Sequence, residues 1–238
     1  MNIQIFIPCF VDACFPNVGI SVVRILEKLG HKISYDTAAV CCGQPGFNAG
    51  YWDEARLIAS KTLAVLKNAE TVVVPSGSCS AMLKVFYPEL FEGLPEEADA
   101  KRLASKVFEF SEFLVDRLGV TKLGAKFPKK VTFHDGCHGL REMKLKQQSR
   151  RLLAEVEGLE LIEMKQAESC CGFGGTFSVK FPAISAAMAG VKCASAIETG
   201  AEYIISNDSS CLMQIQGLLN RNQSTMKSMH LAEVLAGN

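Results

Sequence analysis

The 238-residue sequence predicts an α/β protein made of two similar halves, each built around a parallel sheet. Short runs rich in Ile and Val, typical of buried strands, alternate along the chain with longer amphipathic segments. One cysteine pattern also occurs twice, with matching positions 128 to 132 residues apart. Alternating strands and helices form parallel sheets through right-handed crossovers. We therefore expect two tandem repeats with parallel sheets, related by a pseudo-twofold axis.

Four strands and four helices are predicted in the first half. Gly30 is a typical residue after a helix C-terminus, so the first helix is expected to end at residue 29. Asp53 can cap a later helix, in which Ala55, Ala59 and Leu63 recur on one face. The predicted strands are residues 2–8, 32–35, 71–75 and 106–108, and the predicted helices are residues 18–29, 53–68, a helix that begins near 76–79, and residues 111–118.

The second half repeats this order of elements. Gly, Lys and Pro cluster at residues 119–130, which predicts a linker and two domains, residues 1–122 and 123–238. The predicted strands are residues 131–133, 160–163, 202–206 and 226–229, and the predicted helices are residues 148–156, 182–199, a helix after Cys211, and residues 230–235.

The charge balance excludes several classes of function. Lys and Arg together number 25, as do Asp and Glu, and no long run of one sign occurs, so nucleic acid is not an expected partner. No stretch of 18 apolar residues without charge predicts a membrane-spanning helix. The first residues lack the basic segment of a secretory signal, so we expect a cytoplasmic protein.

Eight of the ten cysteines form the repeated pattern, which is a lone Cys, a Cys-Cys-Gly triplet and another lone Cys. Each motif cysteine follows a predicted strand, and the carboxyl ends of parallel strands meet at one edge of a sheet. We therefore expect two groups of four thiols, each able to bind a soft metal or an iron–sulfur cluster. The two groups are Cys9, Cys41, Cys42 and Cys79, and Cys137, Cys170, Cys171 and Cys211.

Disulfides and zinc are the alternatives for these cysteines. A disulfide framework is typical of small secreted domains, and adjacent cysteines form strained disulfides. Structural zinc sites use four thiolates, usually as closely spaced pairs, and two neighbouring sulfurs reach one small ion with difficulty. A cluster of several irons can accept neighbouring thiolates at different metals. We favour up to two [4Fe–4S] clusters, with zinc as the alternative cofactor.

Two histidines and two further cysteines also bear on the site. His134 and His138 flank Cys137 at a predicted strand end, where they are candidate catalytic proton handlers. A hydrogen-bonding role alone is the alternative for both. Cys14 and Cys193 lie outside the repeat, and we expect each to serve in packing, with a supporting role beside Cys9 as the alternative for Cys14.

The motif segments resemble the CCG, or cysteine-rich, domain family of iron–sulfur oxidoreductase subunits. This family includes the catalytic subunit of heterodisulfide reductase and the iron–sulfur subunits of glycolate oxidase and anaerobic glycerol-3-phosphate dehydrogenase. The segments that carry the resemblance are CFVD at residues 9–12, CCGQPG at 41–46, PSGSCSAM at 75–82, HDGCH at 134–138, CCGFGGTFS at 170–178 and CLM at 211–213.

The resemblance implies two domains of Rossmann-like character and a function in electron transfer. It implies an oxidoreductase subunit that takes part in oxidising L-lactate to pyruvate without NAD. Such a subunit is active only with partners, namely an iron–sulfur relay subunit and an accessory subunit. The fullest family motif has a fifth cysteine, and this chain has Met82 and Gln214 at those positions. Four thiolates remain in each group, as an ordinary [4Fe–4S] cluster requires.

Two other functions remain open from the residues alone. A zinc-bearing structural or scaffold subunit would use the same thiols to hold partner enzymes together without redox work. A thiol–disulfide protein without metal would form strained, easily reduced disulfides from the adjacent pairs.

Overall fold

Two four-stranded sheets, both entirely parallel, form the framework of the computed structural model, which describes residues 1–39 and 41–237. The first sheet has the order β2-β1-β3-β4, and the second has the matching order β6-β5-β7-β8. This architecture confirms the predicted fold class. The strands are β1 (Asn2–Ile5), β2 (Lys32–Tyr35), β3 (Val72–Val74), β4 (Val107–Glu109), β5 (Lys130–Phe133), β6 (Glu160–Leu161), β7 (Tyr203–Ser206) and β8 (Lys227–His230).

Helices connect the strands, and two of them continue as short π-helical segments. The helices of the first half are α1 (Cys9–Cys14), α2 (Pro16–Lys28), α3 (Gln44–Asn48), α4 (Trp52–Leu66), α5 (Gly77–Ala81), α6 (Tyr87–Leu90), α7 (Glu97–Ala104) and α8 (Phe110–Glu112), with π-helical segments at Met82–Phe86 and Phe113–Arg117. Those of the second half are α9 (Cys137–Arg141), α10 (Gln147–Leu153), α11 (Phe177–Lys180), α12 (Pro182–Ile197), α13 (Ser209–Arg221) and α14 (Leu231–Ala236).

The helices that the sequence analysis missed are short or strongly charged. Helices α1 and α9 begin at Cys9 and Cys137, where the sequence predicted only a loop after the strand. Five or six residues are too few to show a helical period, so no pattern marks them. Helix α7 carries charge around most of its surface, and only Ala100, Leu103 and Ala104 are buried.

One hydrophobic core is common to both halves. It lies between the two sheets and contains residues of α2 and α14, such as Val22 and Leu235, together with Leu114 and Leu152. Two outer cores are each confined to one half. Burial of one large apolar side chain stabilises a fold by about 1.5–3 kcal/mol, so the common core ties the halves together strongly. The proposed division between residues 122 and 123 stays a prediction.

Contacts between the halves occur in reciprocal pairs, as a pseudo-twofold axis requires. Helix α2 packs against α14, and the equivalent α10 packs against α8 and the π-helical segment that follows it. Likewise α5 contacts α9, and α1 contacts α13. Within the described residues, no helix is both long enough and apolar enough to cross a bilayer.

Candidate metal centre

The motif cysteines follow the strands at the carboxyl edge of each sheet. Cys9 and Cys137 are the first residues of α1 and α9, directly after the loops that leave β1 and β5. Cys79 and Cys211 lie in the first turn of α5 and α13, after β3 and β7. Because β1 and β3 are neighbours in one sheet and β5 and β7 in the other, each pair of lone cysteines is brought close together.

The Cys-Cys-Gly loops have a backbone conformation that depends on glycine. Gly43 and Gly172 have φ values of +85° and +86°, in the left-handed region that side chains rarely adopt. A Cβ on Gly43 would lie 3.0 Å from the Ala55 carbonyl oxygen, and one on Gly172 would lie 2.5 Å from the Ser185 carbonyl oxygen. Each loop therefore passes directly against α4 or α12, which fixes where its two cysteines point.

The four thiols of the first quartet, Cys9, Cys41, Cys42 and Cys79, form a connected group. The Sγ atoms of Cys9 and Cys41 are 3.7 Å apart, and those of Cys42 and Cys79 are 3.4 Å apart. The Gly43 amide donates to the Cys41 sulfur at 3.4 Å. Hydrogen bonds from the Cys42 and Cys9 thiols lower the pKa of Cys41 to about 3.

The second quartet, Cys137, Cys170, Cys171 and Cys211, has the same arrangement. The Gly172 amide donates to the Cys170 sulfur at 3.4 Å, as in the first half. Hydrogen bonds from the Cys137 and Cys171 thiols lower the pKa of Cys170 to about 2. The sulfur atoms of Cys171 and Cys211 lie within 4.8 Å of each other. Both groups of four that the sequence predicted are thus brought together in space.

One cavity of about 360 Å³ is lined by both quartets. All eight motif cysteines contribute to its wall, together with Phe10, Phe173, His138 and small polar residues. Among the described residues that line it, none is Lys or Arg. A space with eight thiols and no basic side chain suits a soft metal ion or an iron–sulfur cluster better than a small organic anion.

Ser76 and Asp208 join the two halves beside this cavity. Each lies three residues before the last cysteine of its motif, so the two are equivalent under the pseudo-twofold axis. Ser76 Oγ donates to Asp208 at 2.8 Å, and the Ser78 amide donates to the same carboxylate at 3.1 Å. Sequence reasoning missed Asp208, although its equivalence to Ser76 is visible in the aligned motifs.

The two candidate histidines occupy different environments. His138 lines the cavity, with its Nδ1 atom 3.3 Å from Glu142 and its ring against Phe86 of the other half. His134 is fully buried, and a ring nitrogen lies within 4.8 Å of the sulfurs of Cys171 and Cys211. Burial lowers the pKa of His134 to about 3, so its ring is neutral. Their roles as proton handlers stay a prediction.

Lys192 is a second feature that sequence reasoning missed. It is fully buried on α12 and donates to the carbonyl oxygens of Gln166 and Ala167, in the segment that leads to Cys170. Burial lowers the pKa of Lys192 to about 8. Thr62 occupies the same place on α4 and donates to the Cys41 carbonyl at 2.7 Å. Both halves therefore hold their cysteine loop with one side chain of the following helix.

The remaining sulfur and motif positions lie outside the quartets. Met82 is buried in the first outer core, and Gln214 donates to Ser185 at 2.8 Å. Neither lines the cavity, so each quartet keeps four sulfur donors. Cys193 is 2% exposed within the second outer core, which agrees with a packing role. Cys14 is exposed, so the expectation that it packs was wrong.

Comparison with known proteins gives the family. The family model for the CCG cysteine-rich domain matches residues 3–84 and 131–216, one match in each half. The chain belongs to the CCG cysteine-rich domain family. The two matches to this CCG domain contain the two quartets, so the repeat in the sequence is a repeat of the domain.

Two relatives that match over nearly the whole length share a name. The protein called Lactate utilization protein A in Oceanobacillus iheyensis is 44% identical over 236 residues, covering 99% of this chain and 96% of that protein. The protein of the same name in Bacillus subtilis is 42% identical over 236 residues, covering 99% of each. A crystal structure of a hypothetical protein from Helicobacter pylori has a TM-score of 0.71 at 12% identity, covering 98% of this chain and 48% of that one. This last similarity shows the fold alone.

Proposed function

We propose that this CCG protein is an iron–sulfur subunit of a cytoplasmic complex that oxidises L-lactate to pyruvate without NAD. The observation that carries the proposal is the convergence of four thiols, twice, at the wall of one cavity. The name shared by its relatives supplies the substrate. A reducing cytoplasm keeps such thiols free to bind metal.

The residues of each quartet suit a four-iron cluster. Cys9, Cys41, Cys42 and Cys79 would hold one cluster, and Cys137, Cys170, Cys171 and Cys211 would hold the other. Four cysteine thiolates are the usual ligands of a [4Fe–4S] cluster, which when bound takes up and releases single electrons. The Gly43 and Gly172 amides donate to sulfur in both halves, which stabilises negative charge on the thiolates.

The cavity supports electron transfer rather than binding of the hydroxy acid itself. A lactate carboxylate is usually bound by Arg or Lys, and the described lining residues include neither. We therefore assign the oxidation of lactate to a partner subunit. The further partners in this proposal are an iron–sulfur relay subunit and an accessory subunit. His138 is the histidine that lines the cavity, and we assign proton handling to it.

Metal analysis of protein prepared without oxygen tests this proposal. We expect brown protein with about four irons and four acid-labile sulfides per quartet. Cys41→Ser combined with Cys42→Ser should remove half of the iron, and Cys170→Ser with Cys171→Ser should remove the other half. Cys14→Ser is the matched control and should keep the full iron content, because Cys14 is exposed outside both quartets. Colourless protein with stoichiometric zinc and no sulfide contradicts the proposal.

A zinc-bearing scaffold subunit is the second candidate, and one observation favours it. His134, Cys171 and Cys211 have ligand atoms within 4.8 Å of one another, as a zinc site requires. The first half has Phe6 at the equivalent position, so the first quartet has no corresponding histidine. With zinc, Cys170→Ser should prevent assembly of the complex before it affects activity. With iron–sulfur clusters, the assembled complex should lose lactate oxidation.

A further inference from the structure

The two quartets differ in the side chain that lies three residues before the first cysteine of each motif. In the first half it is Phe6, which is buried in the same outer core as Cys42. In the second half it is His134, which is fully buried with a ring nitrogen within 4.8 Å of the Cys171 and Cys211 sulfurs. A polar ring thus faces the second quartet where an apolar ring faces the first.

His134 lacks a hydrogen-bond partner for either ring nitrogen among the described residues. The Ala167 carbonyl interacts with the ring but does not reach hydrogen-bond geometry, and its oxygen already accepts from Lys192 Nζ at 2.9 Å and from the Asp135 amide at 3.1 Å. A carbonyl oxygen has two lone pairs, so both are in use. A fully buried imidazole without a partner is unfavourable, which points to an acceptor that the protein chain alone does not supply.

The sulfur atoms of the second quartet are the acceptors within reach. Four cysteines already satisfy a [4Fe–4S] cluster, so His134 is not needed as a ligand. We propose that His134 donates an N–H hydrogen bond to a thiolate sulfur of the second centre, from Cys171 or Cys211, and thereby raises the reduction potential of that centre alone. The inference rests on the proposed function, because it requires a cluster in the second quartet.

The physical reason is the change of charge on reduction. An added electron increases negative charge on the sulfurs, and an N–H dipole that points at them favours the reduced state. The buried ammonium group of Lys192 acts in the same direction, whereas the first half has the neutral Thr62 in its place. The second centre therefore has polar stabilisation that the first lacks.

Redox potentiometry followed by electron paramagnetic resonance tests the inference on the full chain. The Cys41→Ser, Cys42→Ser variant isolates the signal of the second centre, and the Cys170→Ser, Cys171→Ser variant isolates that of the first. His134→Phe installs the residue of the first half. We expect this variant to shift the redox equilibrium of the second centre toward the oxidised state by about tenfold, which lowers its reduction potential by about 59 mV for a one-electron couple. The potential of the first centre should not change.

Rescue and labelling separate this role from mere packing. His134→Gln keeps an N–H donor and should recover part of the shift. In wild-type protein labelled with ¹⁵N-histidine, we expect weak nitrogen coupling to the reduced second centre, and this measurement needs no variant to fold. Three results would each overturn the inference and leave the proposed function intact. They are unchanged potentials in a fully loaded His134→Phe protein, an absence of nitrogen coupling in the wild type, and the strong nitrogen coupling of a direct ligand. Wild-type protein without iron overturns both.

Discussion

The two halves have the same backbone plan but surround their thiols with different side chains. Sheet order, the position of each cysteine and the left-handed glycine after each pair are repeated. The differences are concentrated at equivalent positions near the cavity and between the halves, where the second half is more polar. The pairs in which the second half is more polar are Phe6 and His134, Phe10 and His138, Thr62 and Lys192, and Ser76 and Asp208, whereas Glu109 and His230 are both ionisable.

The repeated residues and the residues that differ between the halves have different roles. The repeated features bring four sulfurs together, so they are under the same constraint in both halves. The side chains that differ do not move the sulfurs but change the charge and hydrogen bonding around them. The two cysteine quartets therefore have the same composition but different surroundings. Variants that exchange or remove these features test how far the halves are equivalent.

The largest expected effect is on stability, and it differs between the two loop glycines, Gly172 and Gly43. Gly172→Ala should lower the free energy of unfolding by about 3–5 kcal/mol, because left-handed strain adds to a clash with the Ser185 carbonyl. Gly43→Ala should cost about 2 kcal/mol, since its Cβ would lie 3.0 Å from the Ala55 carbonyl rather than 2.5 Å. Urea unfolding of the metal-free chain measures both.

Gly175→Ala is the control for strain without a clash. Gly175 has φ of +60°, and apart from its chain neighbours no atom of the described residues lies within 4 Å of its ideal Cβ. We expect a loss of about 1 kcal/mol. Equal losses at Gly172 and Gly175 would show that close packing of the loop against α12 is unimportant.

A second prediction concerns pH, at the residue that ends the last strand of each half. Glu109 and His230 each cap the helix that follows, and both are buried. Burial raises the pKa of Glu109 to about 8, so its folded form holds the proton more tightly and stability falls as pH rises from 4.5 to 8. Burial lowers the pKa of His230 to about 4, so stability falls as pH drops from 6.5 to 4.

Replacing each group should remove its part of the pH dependence. Glu109→Gln should reduce the loss of stability between pH 4.5 and 8, and His230→Asn should reduce the loss between pH 6.5 and 4. Each slope should change by at most about 1.4 kcal/mol per pH unit. Both replacements keep an acceptor for the helix cap. The measurement is the urea midpoint of the metal-free chain from pH 4 to 8. Unchanged slopes in both variants would rule out these two groups as the source.

The smallest expected effects are on stability, at the two cysteines outside the quartets. Cys193→Ser should destabilise the chain by about 1–2 kcal/mol, because it buries a hydroxyl in the second outer core. Cys14→Ser should change stability by less than about 0.5 kcal/mol, since the residue is exposed. Thermal unfolding and iron content are the measurements. Loss of iron in either variant would mean that the quartets do not account for all metal binding.

Local patterns predicted much of the fold, and their limits have physical causes. The Val run at residues 72–74 is the buried strand β3, because short apolar runs mark buried strands. Strand β2 also occupies residues 32–35 as expected, although most of its residues are exposed. The predicted helix at residues 111–118 is α-helical only to Glu112 and then continues as a π-helical segment. Helix propensity does not distinguish α-helical from π-helical hydrogen bonding, so the sequence did not predict this change. In the structure, the π-helical segment packs against α10.

The sequence by itself determined the α/β class and the cysteine repeat, because the alternation of strands and helices and the cysteine spacing are read directly along the chain. Only the tertiary structure decided that both quartets line one cavity, that Ser76 donates to Asp208 across 132 residues, and that His134 lies beside two sulfurs. The first two features depend on how the halves pack through a common core, and the third depends on how the second half folds on itself. No periodicity within either half encodes that packing.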